Sequence, residues 1–301
     1  EANAADGHGI DWPIRYADIA PWYDYVEPFI GISGSIENLA ELPDGKFLPP
    51  LPLNSVEQGI KAKIEKNFPG RKMIPSRVAH LTEPQKIHLA LGRGQCQARN
   101  ECQRGCSWGG YYSSLAGALP AAEKTNNLTL TANAQVQEVL YDEVSGKATG
   151  VRYIDTETNQ VQTVFARLVF ICASTLASVQ ILLNSKSKKF PNGIGNTSGV
   201  LGHYIMDHAS GAGATATVPG YVDSYYKGRR PGGIYIPRFK NINGEQQHYL
   251  RGFGYQGGAA RASWHRGMYL PGIGETFKNS LQRPGAWQFN LCGFGYSSRL
   301  T

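Results

Sequence analysis

The spacing of apolar residues changes period along the chain, and each change predicts a different element. Near the start, Ile19, Trp22, Tyr23, Val26 and Ile30 fall on one face at helical spacing, with Asp18 placed to cap and Pro28 near the end. This predicts a helix packed through its aromatics. Residues 42–53 hold four prolines and predict an extended connector, because proline and the residue before it resist helix. Ser55 with Gln58 three residues on is a capping-box signature. Val56, Ile60, Ile64 and Phe68 then recur every four residues until Pro69-Gly70 stops the helix.

From Leu128 the period is two. Residues 128–131, 134–141, 148–155 and 161–166 alternate apolar with polar between turn residues such as Ser145-Gly146 and Thr158-Asn159, which predicts an antiparallel meander. The run Leu168-Val169-Phe170-Ile171-Cys172 is apolar without alternation. It predicts a strand buried on both faces, followed by a helix with Leu176, Val179 and Leu183 on one side. Beyond His208, glycines and aromatics alternate, and residues 232–239, 249–256 and 287–296 predict strands of a second, largely antiparallel sheet.

A chain of 301 residues can bury a substantial core. Its net charge of +7 would suit an anionic partner, but the basic residues lie in short scattered groups such as Lys61/Lys63/Lys66 and Lys186/Lys188/Lys189. They come without a nucleic-acid motif or interleaved aromatics, so no nucleic-acid partner is expected. The longest apolar stretch, 168–183, is interrupted by Ser174, Thr175, Ser178 and Gln180, and no transmembrane helix is predicted. Glu1 opens a polar loop rather than a signal peptide.

Candidate chemistry concentrates in residues 94–114, GQCQARNECQRGCSWGGYYSS, where Cys96, Cys102 and Cys106 stand at C-x5-C-x3-C. The spacing matches neither the paired C-x2-C arms of structural zinc nor the C-x2-C-x2-C runs of ferredoxins. It leaves open buried thiols, a local disulfide, a three-ligand cluster, or a four-ligand site completed by Cys172 or Cys292. Further on, Cys172-Ala173-Ser174 ends a predicted strand and opens a helix, where backbone N–H groups can meet a cofactor phosphate, although any βα turn has this form. Gly252-x-Gly254-x-x-Gly257 matches the dinucleotide fingerprint formally. It is rejected, because it lies within an alternating stretch and opens no apolar helix.

Four segments in order resemble one family. Residues 11–23 (DWPIRYADIAPWY) resemble the W-P-x-x-Y-x-D-L-x-P-Y-Y segment of glucose–methanol–choline (GMC) flavin oxidoreductases. Ala134-x-Val136 followed by Gly150-Val151 resembles that family's meander, residues 170–185 (FICASTLASVQILLNS) its second signature, and residues 199–208 (GVLGHYIMDH) its G-x-G-x-N-x-x-D-H segment. The departures are Ser174 for a glycine, His203 where arginine or glutamate is common, and Tyr204 for the asparagine. The resemblance implies FAD, held near Val136, Cys172, Ala173, Ser174, Asp207 and His208. Within the family, the cysteine spacing is similar to that of the large flavoprotein subunit of membrane-associated sugar dehydrogenases. That implies a 3Fe-4S cluster on Cys96, Cys102 and Cys106, a multihaem cytochrome c subunit and a small accessory subunit as partners, and a periplasmic site with membrane association only through the partner.

The implied reaction is hydride transfer to flavin from a CH–OH carbon of a sugar or related alcohol, the ring resting on the glycine- and tyrosine-rich sheet after His208. The family's glycine fingerprint and catalytic histidine have no counterpart here. The chain is therefore expected to be a central fragment, inactive alone, with no catalytic residue of its own. His80 and His88 read as surface residues, and His208 as a structural hydrogen-bonding residue near the cofactor. A noncatalytic remnant of such a protein is the alternative, and a disulfide- or zinc-stabilised carbohydrate module a third reading. The expected fold is mixed α/β (α+β): a FAD/NAD(P)-binding-type domain with an antiparallel meander, plus a domain with a largely antiparallel sheet, incomplete at both ends. The expected divisions are 1–80 (cap or substrate-domain helices and linker), 81–208 (flavin-domain portion with the cysteines) and 209–301 (start of the substrate-binding sheet).

Overall fold

The computed structural model describes Gly7 and residues 11–99, 102–222, 232–242, 244–245, 247–249 and 251–295. In chain order the elements are α1 (Tyr16–Ile30), α2 (Ser55–Asn67), β1 (Ile74–Pro75), α3 (Lys86–Ala90), α4 (Ala118–Glu123), β2 (Ala134–Asp142), β3 (Lys147–Asp155) and β4 (Val161–Phe165). There follow α5 (Thr175–Asn184), β5 (Gly213–Val218), β6 (Ile234–Ile236), β7 (Phe253–Arg261), α6 (Gly274–Gln282) and β8 (Trp287–Gly295). The chain forms two compact units, Glu1–Asn126 with Asp207–Ser297, and Asn127–Met206 with Ser298–Thr301.

The first unit is built on an antiparallel sheet of order β1-β6-β7-β8-β5. Alternation along the strands sends Ile234, Ile236, Ala259, Trp287 and Phe289 to one face, where Val56 of α2 and Met73 complete the core. Burying a ring the size of Trp287 contributes roughly 3 kcal/mol, so this face holds the sheet to its helix. Strands approach closely at Gly257, where an added Cβ would lie 1.9 Å from the Asn290 carbonyl oxygen. All three glycines of the rejected fingerprint lie at or within β7, as its rejection requires.

Sequence signals and elements differ at several points. The cap of α2 is Asn54, one residue before the expected Ser55, and its box partner is Glu57 rather than Gln58. In α1 the cap is Arg15, and Asp18 at the third helical position accepts the Arg15 N–H at 2.7 Å. Most aromatics of α1 are exposed, Trp22 68% and Tyr25 74%, with the Tyr16 and Tyr23 rings 6.2 Å apart, and burial comes instead at the half-buried end of the helix, Phe29 included, before the left-handed cap Gly31. The connector 42–53 is irregular as expected, whereas β1 and β5 had no expected counterpart.

In the second unit β2, β3 and β4 form the predicted antiparallel meander, and α5 follows where expected. Residues 128–131 form no strand. Nor do 168–172: Leu168 is 75% and Phe170 82% exposed. A strand apolar on both sides needs a paired edge and two covering layers, and among the described residues nothing pairs with this run. The whole is a mixed α/β structure with antiparallel sheets, as the periodicity indicated.

Candidate functional site

The cysteine-bearing segment is tied down by backbone bonds to the strand-like residues before it. Tyr112 N–H donates to Ala79 O (2.9 Å), Leu81 N–H to Gly110 O (2.8 Å), Cys96 N–H to Leu81 O (2.8 Å) and Gly94 N–H to Trp108 O (2.6 Å). Gly105 and Gly109 take left-handed φ values of 86° and 58°, which lets the chain double back around Cys106. Burial pushes the Cys106 thiol up, but N–H groups of Tyr111, Trp108, Gly110 and Gly109 converge on the sulfur and together set its pKa below the ordinary thiol value. A Cβ at Gly110 would come within 3.1 Å of the Cys96 backbone, so the Gly-Gly pair also allows the two cysteine loops to touch.

His80 lies beneath this turn, 5% exposed, its ring stacked on Tyr111 at 4.7 Å between centroids. Its Nε2 is 3.4 Å from Cys102 Sγ, and its Nδ1 has no hydrogen-bond partner among the described residues. Burial lowers its pKa to about 4, so the ring is neutral at physiological pH. His88 is fully buried, accepting the Gln85 N–H at Nδ1 (2.9 Å) and pairing through Nε2 with Pro28 O (2.8 Å). Neither histidine is the surface residue expected. The polar surroundings in sequence concealed two rings that brace the fold. Arg93, 1% exposed, donates from Nε to Gly109 O and lies over the Tyr112 ring.

All five cysteines are free thiols. Cys102 Sγ lies against His80 and the Cys106 sulfur in the amide nest, while Cys96 is anchored through its backbone N–H, which donates to Leu81 O. Among the described residues, no three His, Cys, Asp or Glu side chains form a group set to hold a metal ion. A 3Fe-4S cluster takes three thiolates.

The flavin candidates fall in both units. In the second, Ser174 caps α5, its Oγ accepting the Ala177 N–H at 3.4 Å, and Cys172, Ala173 and Ser174 are exposed. Thr175 and Leu176 lie in the first turn, where N–H groups have no acceptor within the helix, an arrangement that fits the phosphates of a flavin nucleotide. Val136 is half-buried on β2 opposite Tyr153, beside a register shift. Asp207 and His208 belong to the first unit and are exposed, the His208 N–H donating to Asp207 Oδ1 at 2.6 Å. His80, Arg93 and the Trp108–Tyr111 amides escaped the sequence reading. The Gly-Gly pair after Cys106 was their one visible signal.

The profile described as GMC oxidoreductase matches residues 8–210, and the chain belongs to that family. It is 29% identical over 260 residues to 2-methyl-1,2-propanediol dehydrogenase of Mycolicibacterium austroafricanum, covering 82% of this chain and 43% of that protein. It is 28% identical over 201 residues to paromamine 6'-oxidase of Streptomyces fradiae, covering 66% and 34%. Fructose dehydrogenase large subunit of Gluconobacter japonicus is 25% identical over 211 residues, covering 67% and 36%. The chain spans less than half the length of these relatives.

Proposed function

We propose that this protein is an FAD-dependent dehydrogenase that oxidises a CH–OH group of a sugar or related alcohol. The observation that carries the reading is the family match over residues 8–210, joined to a capped, exposed helix start at Ser174 that suits a nucleotide phosphate. FAD, when bound, accepts the hydride. Val136 and Cys172–Ser174 would hold the nucleotide, and Asp207 and His208 are the first unit's candidates for contact with the cofactor. As the hydride leaves the carbinol carbon, the hydroxyl proton passes to a base that the complete enzyme supplies; His80 and His88, buried and braced, are not placed to take it. The alcohol rests on the sheet of the first unit.

The cysteine segment supports a second proposal, that Cys96, Cys102 and Cys106 bind a 3Fe-4S cluster and serve a multihaem cytochrome c partner with a small accessory subunit. In this reading the protein is periplasmic and reaches the membrane only through that partner. The convergence of four amides on Cys106 favours it, as N–H groups around a sulfur stabilise its anionic form, and the similarity to a fructose dehydrogenase large subunit agrees. Against it, no group of three His, Cys, Asp or Glu side chains set to hold a metal is found among the described residues. Domain divisions at 80 and 208 belong to the same proposal.

Two assays separate these readings. Released flavin identified as FAD, with dye reduction dependent on a sugar or diol, supports the dehydrogenase, and a colourless folded protein supports a noncatalytic remnant. Iron and acid-labile sulfide near 3:4, abolished by Cys106→Ala, support the cluster, and iron-free flavoprotein removes it.

A further inference from the structure

Arg93 is 1% exposed, yet among the described residues no carboxylate pairs with it. Its Nε donates to Gly109 O (2.9 Å) and its Nη1 to Phe29 O (3.4 Å), while its Nη2 has no acceptor among the described residues. Neutral carbonyls take up the hydrogen bonds of a guanidinium but do not balance its charge, and a buried charge without a counter-ion is costly. The acidic groups that act on this cation are the Cys106 thiol and the Tyr112 phenol. Arg99 and Arg104, the neighbouring cations of the segment, are exposed, and water screens them.

Gly109 links the cation to the sulfur. Its carbonyl accepts the Arg93 Nε–H, its N–H donates to Cys106 O (2.9 Å), and it is one of the four residues whose amides surround the Cys106 sulfur. At Cys102 the partner is an imidazole: His80 Nε2 lies 3.4 Å from Sγ, and Nδ1 has no partner among the described residues. A ring proton on Nδ1 would be a buried orphan, so it sits on Nε2 and is donated to the sulfur. Guanidinium, amides and imidazole N–H therefore all present positive charge to Cys102 and Cys106. Neutral thiols or a disulfide would leave Arg93 unbalanced, whereas thiolates holding an iron–sulfur cluster supply the missing negative charge.

We propose that Arg93 and His80 are positioning residues for a redox centre at Cys102 and Cys106, Arg93 as its buried counter-charge and His80 as a hydrogen-bond donor to its sulfur, and that both raise its reduction potential. Both roles rest on the cluster reading given above. When bound, the cluster takes one electron from reduced flavin and no proton, so its negative charge grows by one. Arg93 and His80 favour that more negative form, the cation through an interaction that burial leaves unscreened and the imidazole through its N–H.

Redox titration of the anaerobically purified protein with dithionite, followed by electron paramagnetic resonance and accompanied by iron and acid-labile sulfide analysis, tests both roles. Arg93→Met is expected to shift the reduction equilibrium at least about tenfold toward the oxidised form, a midpoint about 59 mV lower. His80→Phe is expected to shift it the same way by a smaller factor. Arg93→Lys keeps the charge and is expected to restore most of the wild-type potential. Should Arg93→Met not fold or not hold iron, Arg93→Gln takes its place, since it keeps an amide donor for Gly109 O without the charge, and should that fail too, His80→Phe decides. A potential unmoved by the uncharged Arg93 variant or by His80→Phe in folded, iron-bearing protein would overturn the roles, as would an Arg93→Lys midpoint as low as that of Arg93→Met. Iron-free wild-type protein overturns the cluster reading and both roles with it, and iron analysis tells that failure apart from an unmoved potential.

Discussion

Tyr204 stands where the family's signature has asparagine, and its backbone is at φ 57°, in the left-handed region that asparagine and glycine tolerate and a tyrosine does not. Tyr204→Gly is expected to raise stability by up to about 1 kcal/mol, read as a higher thermal midpoint, and an unchanged or lower midpoint would show that side-chain contacts outweigh the backbone strain. At Cys106 the amide nest lowers the thiol pKa, so the pH midpoint of its alkylation should fall below the 9.0 of an unperturbed thiol. A midpoint at or above that value would mean that burial dominates. His80 works through pH in the same sense. Its folded pKa of about 4 lies below the ordinary 6.5, so the folded state holds fewer protons than the unfolded one between those values. Its contribution is complete above pH 6.5 and is lost as pH falls toward 4. His80→Gln should flatten the drop in unfolding free energy between pH 7 and 5, and identical slopes would contradict the buried neutral ring. These residue-level features were poorly legible in the sequence. The cysteine spacing was visible, but the amides that tune Cys106 belong to the backbone and have no letter. His80 lies between Ala79 and Leu81 in a segment without period, so its burial depends on the distant Tyr111.

Among the elements, α2 and β7 are joined by a clamp that the local pattern half disclosed. Asn54 Oδ1 accepts the Glu57 N–H while its Nδ2 donates to Ala259 O, and Glu57 returns a carboxylate oxygen to Ala259 N–H. The pair caps a helix and satisfies β7 where β6 has ended. Asn54→Ala should cost about 1–2 kcal/mol in chemical unfolding. Glu57→Ala should cost more, roughly 2–4 kcal/mol, because it strands two backbone donors in a buried place. A smaller loss for Glu57→Ala than for Asn54→Ala would sink the clamp. Period alone located α2, the meander, α5 and the cores of β7 and β8, since each buries one face and its alternation survives in the letters. It failed at 168–172, where a run apolar throughout implies partners on every side that the described residues do not supply. It also missed the cap of α2 by one residue, since Asn54 and Ser55 are both competent and the choice depends on Ala259, far along the chain.

For the molecule as a whole, the family was legible because its signatures are local, while the second sheet was only hinted at by alternating glycines and aromatics. The faces of the sheet became distinct once register set Gln256, Asn290 and Tyr235 together on the side away from Trp287 and Phe289. An apolar face anchors the helix, and the opposite face is polar and uncharged at these positions. The central claim is that the protein uses flavin to oxidise a carbinol. Anaerobic titration of the flavin-loaded protein with a neutral sugar or a diol tests it most directly: the account predicts bleaching of the oxidised flavin absorbance with one of them, and a flavin spectrum unmoved by every alcohol offered, or no flavin at all, would contradict it.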